Sequence, residues 1–87
     1  MSKEPSITRI LIDALKPRDV TIVEIARSLI SLDRISRVEI NVAEVDVRTE
    51  TLKINIAGSN IDLKEVEKIL EKHATVIRSI DYVVAEK

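Results

Sequence analysis

The sequence predicts an α+β domain of the ferredoxin-like kind: two strand–helix–strand units joined by a hairpin, with the helices on one face of a four-stranded antiparallel sheet. Three observations predict it. Two capping boxes, Thr21-Ile22-Val23-Glu24 and Asp62-Leu63-Lys64-Glu65, each open an apolar stripe of helical spacing. Strand-like apolar segments flank each stripe. The two middle strands are separated only by a short polar turn, which a parallel pair could not use.

Residues 1–5 read as a loose, disordered polar end, and 6–87 as a single domain. From Ser6 to Leu15 both side-chain rows carry apolar residues: Ile10, Ile12 and Ala14 on one, Ile7, Leu11 and Leu15 on the other. A strand apolar on both rows belongs in the middle of a sheet. Pro17 ends it, because the residue before a proline is driven to extended backbone. The first helix follows Thr21, with Ile22, Ile25, Ala26, Leu29 and then Leu32 or Asp33 on its stripe. Ile35 to Val47 alternates through Val38, Ile40 and Val42, then shifts phase to Val45 and Val47. That shift predicts a bulge near Ala43-Glu44. Arg48-Thr49-Glu50 is read as the turn and Thr51 to Ala57 as the third strand, with Leu52, Ile54 and Ile56 inward. Gly58-Ser59-Asn60 is a turn cluster. The second helix stripe is Leu63, Val66, Ile69 and Leu70, ending near Lys72-His73. Val76 to Ala85 is the fourth strand, and both of its rows mix apolar with polar members. The first and third strands are expected in the centre and the second and fourth at the edges.

Composition narrows the functional classes. The 87 residues include 14 Lys or Arg and 15 Asp or Glu, for a formal net charge of −1. Such a chain has no overall field to draw in nucleic acid or anionic lipid. The single aromatic residue, Tyr82, rules against base stacking on the sheet face, the usual route of this fold to RNA. No cysteine is present, which excludes disulfides and thiolate metal sites. No apolar run approaches the ~20 residues of a membrane span, and the N-terminus lacks a signal-peptide pattern, so the expected location is the cytoplasm. The absence of Gln and the single Met, with abundant Ile, Glu, Lys and Arg, lean towards a thermophilic source.

The chemistry-bearing candidates are carboxylates. Glu44, Asp46 and Glu50 cluster around the hairpin, and Glu44 and Asp46 would share a face on a regular strand. Oxygen ligands suit a hard cation such as Ca²⁺ or Mg²⁺. The plainer reading is solvated charges paired with Arg48 and Lys53. Asp13 and Asp81 sit inside strands expected to pair, so the two could share a cation; neutralisation of Asp13 by Lys53 is the plainer alternative. Glu44, Asp46, Glu50 and Asp81 are therefore the candidate metal ligands. His73, the lone histidine, stands at a helix C-terminus that favours a cation, with no second ligand and no nucleophile indicated beside it. Lys16, Pro17 and Arg18 precede a helix start but lack the glycines that wrap a phosphate.

Asp13-Ala14-Leu15-Lys16-Pro17, Asn41-Val42-Ala43-Glu44-Val45-Asp46 with Thr49-Glu50-Thr51-Leu52-Lys53-Ile54, and Ser79-Ile80-Asp81 resemble the small archaeal family called domain of unknown function 211. The resemblance runs from about Ile7 to Val84. It implies a ferredoxin-like fold and homo-oligomers, and it supplies no mechanism. The chain departs from the family at His73-Ala74-Thr75, where glycines are usual, and at Tyr82, where an acidic residue is usual. The reading that follows is a non-enzymatic oligomeric binding or regulatory module for a divalent metal ion or a small metabolite. The alternative is a structural or protein-interaction module without a ligand. The expected partners are other copies of the chain, with neither nucleic acid nor membrane. Some of Leu11, Leu15, Ala43, Val45 and Val47 are expected to point out from the uncovered sheet face, given the phase change in the second strand.

Overall fold

The computed structural model describes residues 4–87; the first three residues of the expected loose N-terminal end lie outside it. Glu4 and Pro5 are exposed and carry no regular structure. The elements are β1 (Ser6–Pro17), α1 (Ile22–Ile30), β2 (Ile35–Val45), β3 (Thr49–Gly58), α2 (Leu63–Lys72) and β4 (Val76–Glu86). They form one antiparallel sheet in the order β2-β3-β1-β4, with β1 and β3 central as the apolar rows require. Among the described residues, no helix is long and apolar enough to cross a membrane.

The two rows of each central strand have different fates. Ile10, Ile12 and Ala14 of β1 and Leu52, Ile54 and Ile56 of β3 are buried beneath the helices. They meet Ile25 and Leu29 of α1 and Val66 and Leu70 of α2, all fully buried. Arg9, Leu11, Asp13 and Leu15 of β1 face Ala57, Asn55, Lys53 and Thr51 of β3 on the opposite, uncovered side. Both helices begin at the expected N-caps. The Thr21 hydroxyl accepts from Glu24 N at 3.1 Å, and Asp62 Oδ1 accepts from Lys64 N at 2.9 Å, each satisfying an otherwise orphaned donor.

The end of α2 is a Schellman motif. Thr75 N donates to Leu70 O at 2.9 Å and Ala74 N to Glu71 O at 3.0 Å. Ala74 takes the left-handed conformation this requires, with φ of 53°. The loop thus keeps, with an alanine, the geometry that glycine adopts without strain.

Gly58, the chain's only glycine, is required for another reason. A Cβ there would lie 2.0 Å from the carbonyl oxygen of Arg34. That close approach lets Ser59 N donate to the same carbonyl and locks the start of β2 to the end of β3.

The hairpin differs from its sequence reading in one respect. Arg48-Thr49-Glu50 is not the turn: β3 already starts at Thr49, and the reversal falls at Asp46-Val47-Arg48. The cause is pairing. Asp46 N donates to Thr49 O at 2.8 Å, and Pro17 and Lys16 of β1 lie opposite Thr49 and Glu50, which extends β3 backwards. The predicted bulge is present, as a register shift between Val42 and Glu44.

Candidate functional site

The uncovered sheet face is charged at its centre. Asp13 and Lys53 are direct neighbours across β1 and β3, and Lys53 Nζ lies 2.6 Å from Asp13 Oδ2. Asp81 Oδ2 is 3.8 Å from the same ammonium, and Arg78 Nε is 4.0 Å from Asp13 Oδ1. The hydrogen bond that Lys53 donates to Asp13 leads the causes that raise the Lys53 pKa above its ordinary value; desolvation opposes it, the charges of Asp13 and Asp81 add to it, and the charge of Arg78 opposes it. Asp13 Oδ1 is buried and has no hydrogen-bond partner among the described residues.

Two irregularities in β4 bring Arg78 and Asp81 there. Tyr82 pairs with Leu11 and Ile80 with Ile12, leaving Asp81 as an extra residue; Ser79 pairs with Asp13 and Ile77 with Ala14, leaving Arg78 as another. Bulges re-aim side chains, and here both bulged residues reach the uncovered face. Ser79 Oγ holds Asp81 by donating to its Oδ1 at 2.8 Å.

The four candidate ligands separate into three places. Glu44 and Asp46 stay together, because the bulge after Val42 sets Glu44 opposite Thr51 on the uncovered face and Asp46 follows two residues later. Both line a groove of about 410 Å³ with Leu15, Thr49, Thr51 and Arg78. Asp46 Oδ1 also accepts from Val47 N at 2.9 Å, which holds the carboxylate at the turn. Glu50 falls on the helix side, where Lys16 Nζ meets its Oε1 at 2.6 Å. Asp81 belongs to the charged centre just described. Among the described residues no three His, Cys, Asp or Glu side chains gather as a metal-binding group. One chain therefore offers Glu44 and Asp46, with Thr49 and Thr51 lining the same groove.

The apolar residues expected to face outward divide as well. Leu11 and Leu15 lie on the uncovered face. Val45 shares its register position with Glu50 and thus the helix-side row, while Val47 stands in the turn, 82% exposed. The bulge at Ala43 moves them: one extra residue returns Glu44 to the open face and sends Val45 to the other.

Three residues escaped the sequence reading. Arg78 carries no signal apart from its bulge. Thr49 was assigned to the turn. Ser28 lies within reach of His73, with Ser28 Oγ 2.9 Å from His73 Nε2. This contact spans two helices, tying the last turn of α1 to the C-terminus of α2.

Comparison with known proteins agrees with this architecture. A family model described as uncharacterized ArCR, the domain of unknown function 211, matches residues 8–87. An uncharacterized protein of Methanocaldococcus jannaschii is 44% identical over 81 residues, covering 93% of this chain and 84% of the relative. With the matched segment spanning all of β1 but Ser6 and Ile7 and every later strand and helix, the chain belongs to the uncharacterized ArCR family.

Proposed function

We propose that the protein is a non-enzymatic binding module that works as a homo-oligomer and takes a divalent cation, Ca²⁺ or Mg²⁺, in the groove beside the β2–β3 hairpin. The observation that carries this reading is the pair Glu44 and Asp46. They line one groove with Thr49 and Thr51, and neither carboxylate forms an ion pair among the described residues. Oxygen donors of this kind match a hard cation. Ca²⁺ takes six to eight oxygens, more than two carboxylates and two hydroxyls provide, so water or a second copy completes the shell. Self-association is supported by two edge strands whose helix-side residues stay open: Val42 of β2 is 40% exposed and Val83 of β4 55%.

A small anionic metabolite is the second reading, favoured by Arg78 on the far wall of the same groove. Titration calorimetry with CaCl₂ and MgCl₂ separates the two. Binding heat that disappears in the Glu44→Ala, Asp46→Ala double variant supports the cation. No heat with the wild type removes it, and a metabolite screen by thermal shift, repeated with Arg78→Ala, then tests the second reading. If neither class of ligand stabilises the fold, a structural or protein-interaction module remains.

A further inference from the structure

We infer that Arg78 is a tethered counter-ion that regulates the groove: while the groove is empty its guanidinium is the positive charge facing Glu44 and Asp46, and a bound divalent cation drives it onto Asp13. The inference rests on the proposed cation site and states how that site is controlled.

The argument starts from a buried oxygen. Asp13 Oδ2 takes the Lys53 ammonium at 2.6 Å, but Asp13 Oδ1 is buried and accepts no hydrogen bond among the described residues. A buried acceptor without a donor is destabilising, because its desolvation goes uncompensated. Arg78 Nε stands 4.0 Å from it, within ion-pair range and about 1 Å too far for a hydrogen bond.

The same arginine has acidic company on its other side. It lines the groove with Glu44 and Asp46, and neither of these carboxylates forms an ion pair among the described residues. The guanidinium thus stands between two acidic places and is hydrogen-bonded to neither carboxylate of the groove nor to Asp13.

The register puts both places within the sweep of one side chain. Leu15 of the groove lies two residues from Asp13 along β1, and Thr51 of the groove two residues from Lys53 along β3. The groove and the charged centre are therefore neighbouring rows of one sheet face, about 7 Å apart. Arg78 is a bulged residue with no pairing partner of its own on β1, and its side chain is 54% exposed. Packing does not fix it in either place.

A divalent cation decides between them. Two positive charges beside Glu44 and Asp46 cancel the attraction on Arg78 and replace it with repulsion. A short move then closes the 4.0 Å gap to a charge-assisted hydrogen bond and satisfies Asp13 Oδ1. Lys53 is already engaged at Oδ2, and Asp81 is held by Ser79 Oγ at 2.8 Å, so neither competes for this oxygen. Linkage makes the coupling reciprocal: whatever favours Arg78 on Asp13 favours the cation.

Calorimetry with CaCl₂ on the wild type and three variants tests the coupling. Asp13→Asn removes the second home of Arg78 and should weaken Ca²⁺ binding by on the order of tenfold. Arg78→Gln removes the resident positive charge and should tighten binding. Adding Asp13→Asn to Arg78→Gln should then change the affinity by less than about twofold, since Asp13 acts only through Arg78. The Arg78 Nε–H resonance reads the move in the wild type without any substitution: Ca²⁺ should shift it and slow its exchange with water. An equal loss from Asp13→Asn with and without Arg78 overturns the inference, for Asp13 then acts through space as a plain charge. Weaker binding in Arg78→Gln overturns it too, as does an Nε–H signal that bound Ca²⁺ leaves unchanged; in all three results the cation site stands. If neither the wild type nor Arg78→Gln binds Ca²⁺ or Mg²⁺, the site falls and the inference with it.

Discussion

Lys53 and Asp13 face each other from the two central strands, with the ammonium 2.6 Å from the carboxylate in the middle of the uncovered sheet face. Their coupling sets an alkaline limit on stability. The Lys53 pKa lies above its ordinary value of 10.5, chiefly through the hydrogen bond it donates to Asp13. A lysine raised by folding contributes stability that is complete below the unfolded value and is lost as pH climbs through the folded one. Chemical denaturation should show this loss as pH rises through the alkaline range, and Asp13→Asn should remove most of it. An unchanged alkaline limb in Asp13→Asn would refute the coupling.

Lys16 and Glu50 behave differently because Lys16 is buried, with 2% of its side chain exposed. Glu50→Ala strands that charge and should cost about 3 kcal/mol. The Lys16→Met, Glu50→Leu pair should recover most of the loss, since apolar residues of similar volume replace buried pairs well. Calcium calorimetry on the double variant supplies an independent check, for Glu50 points away from the groove of Glu44 and Asp46.

Ala74 should be improvable. At φ of 53° it holds the left-handed position of the α2 Schellman motif, a conformation that costs a residue with a Cβ about 1 kcal/mol. Ala74→Gly should raise stability by up to about 1 kcal/mol, less the extra freedom glycine gives the unfolded chain. A lowered melting temperature would contradict the account.

Gly58 should tolerate nothing larger. A Cβ 2.0 Å from the Arg34 carbonyl forces the β2 and β3 ends apart. Gly58→Ala should destabilise by about 2 kcal/mol or more, with amide exchange rising first at Ser59, whose N–H bonds that carbonyl.

Legibility followed regularity. Ile10, Ile12, Leu52, Ile54 and Ile56 alternate without interruption, so their burial could be read directly from the chain. Thr21 and Asp62 announce their helices through local chemistry. β4 resisted because Arg78 and Asp81 are extra residues in its pairing; each resets the parity, and a two-residue period cannot be followed across them. The candidate site shares the fault. Ala43 was recognisable as a bulge, yet which of Glu44 and Val45 would face outward depended on the partner strand, and β3 begins two residues earlier than its composition suggests. Arg78 entered the groove for the same reason, carried there by a bulge that only pairing with β1 defines.

The placement of β1 between β3 and β4 has a consequence in time. The hairpin of β2 and β3 closes over a three-residue reversal, an event of microseconds. The seam between β1 and β4 joins positions as far apart as Thr8 and Val84, 76 residues in sequence. Long-range closure of this kind is the slow step of folding. Wherever β1 pairs with β3 before β4 arrives, its other side stands bare. Any β4 at hand can fill that vacancy, including one from another molecule. At high concentration refolding should therefore yield exchanged dimers, in which two chains trade their last strands, and dilution during refolding should suppress them.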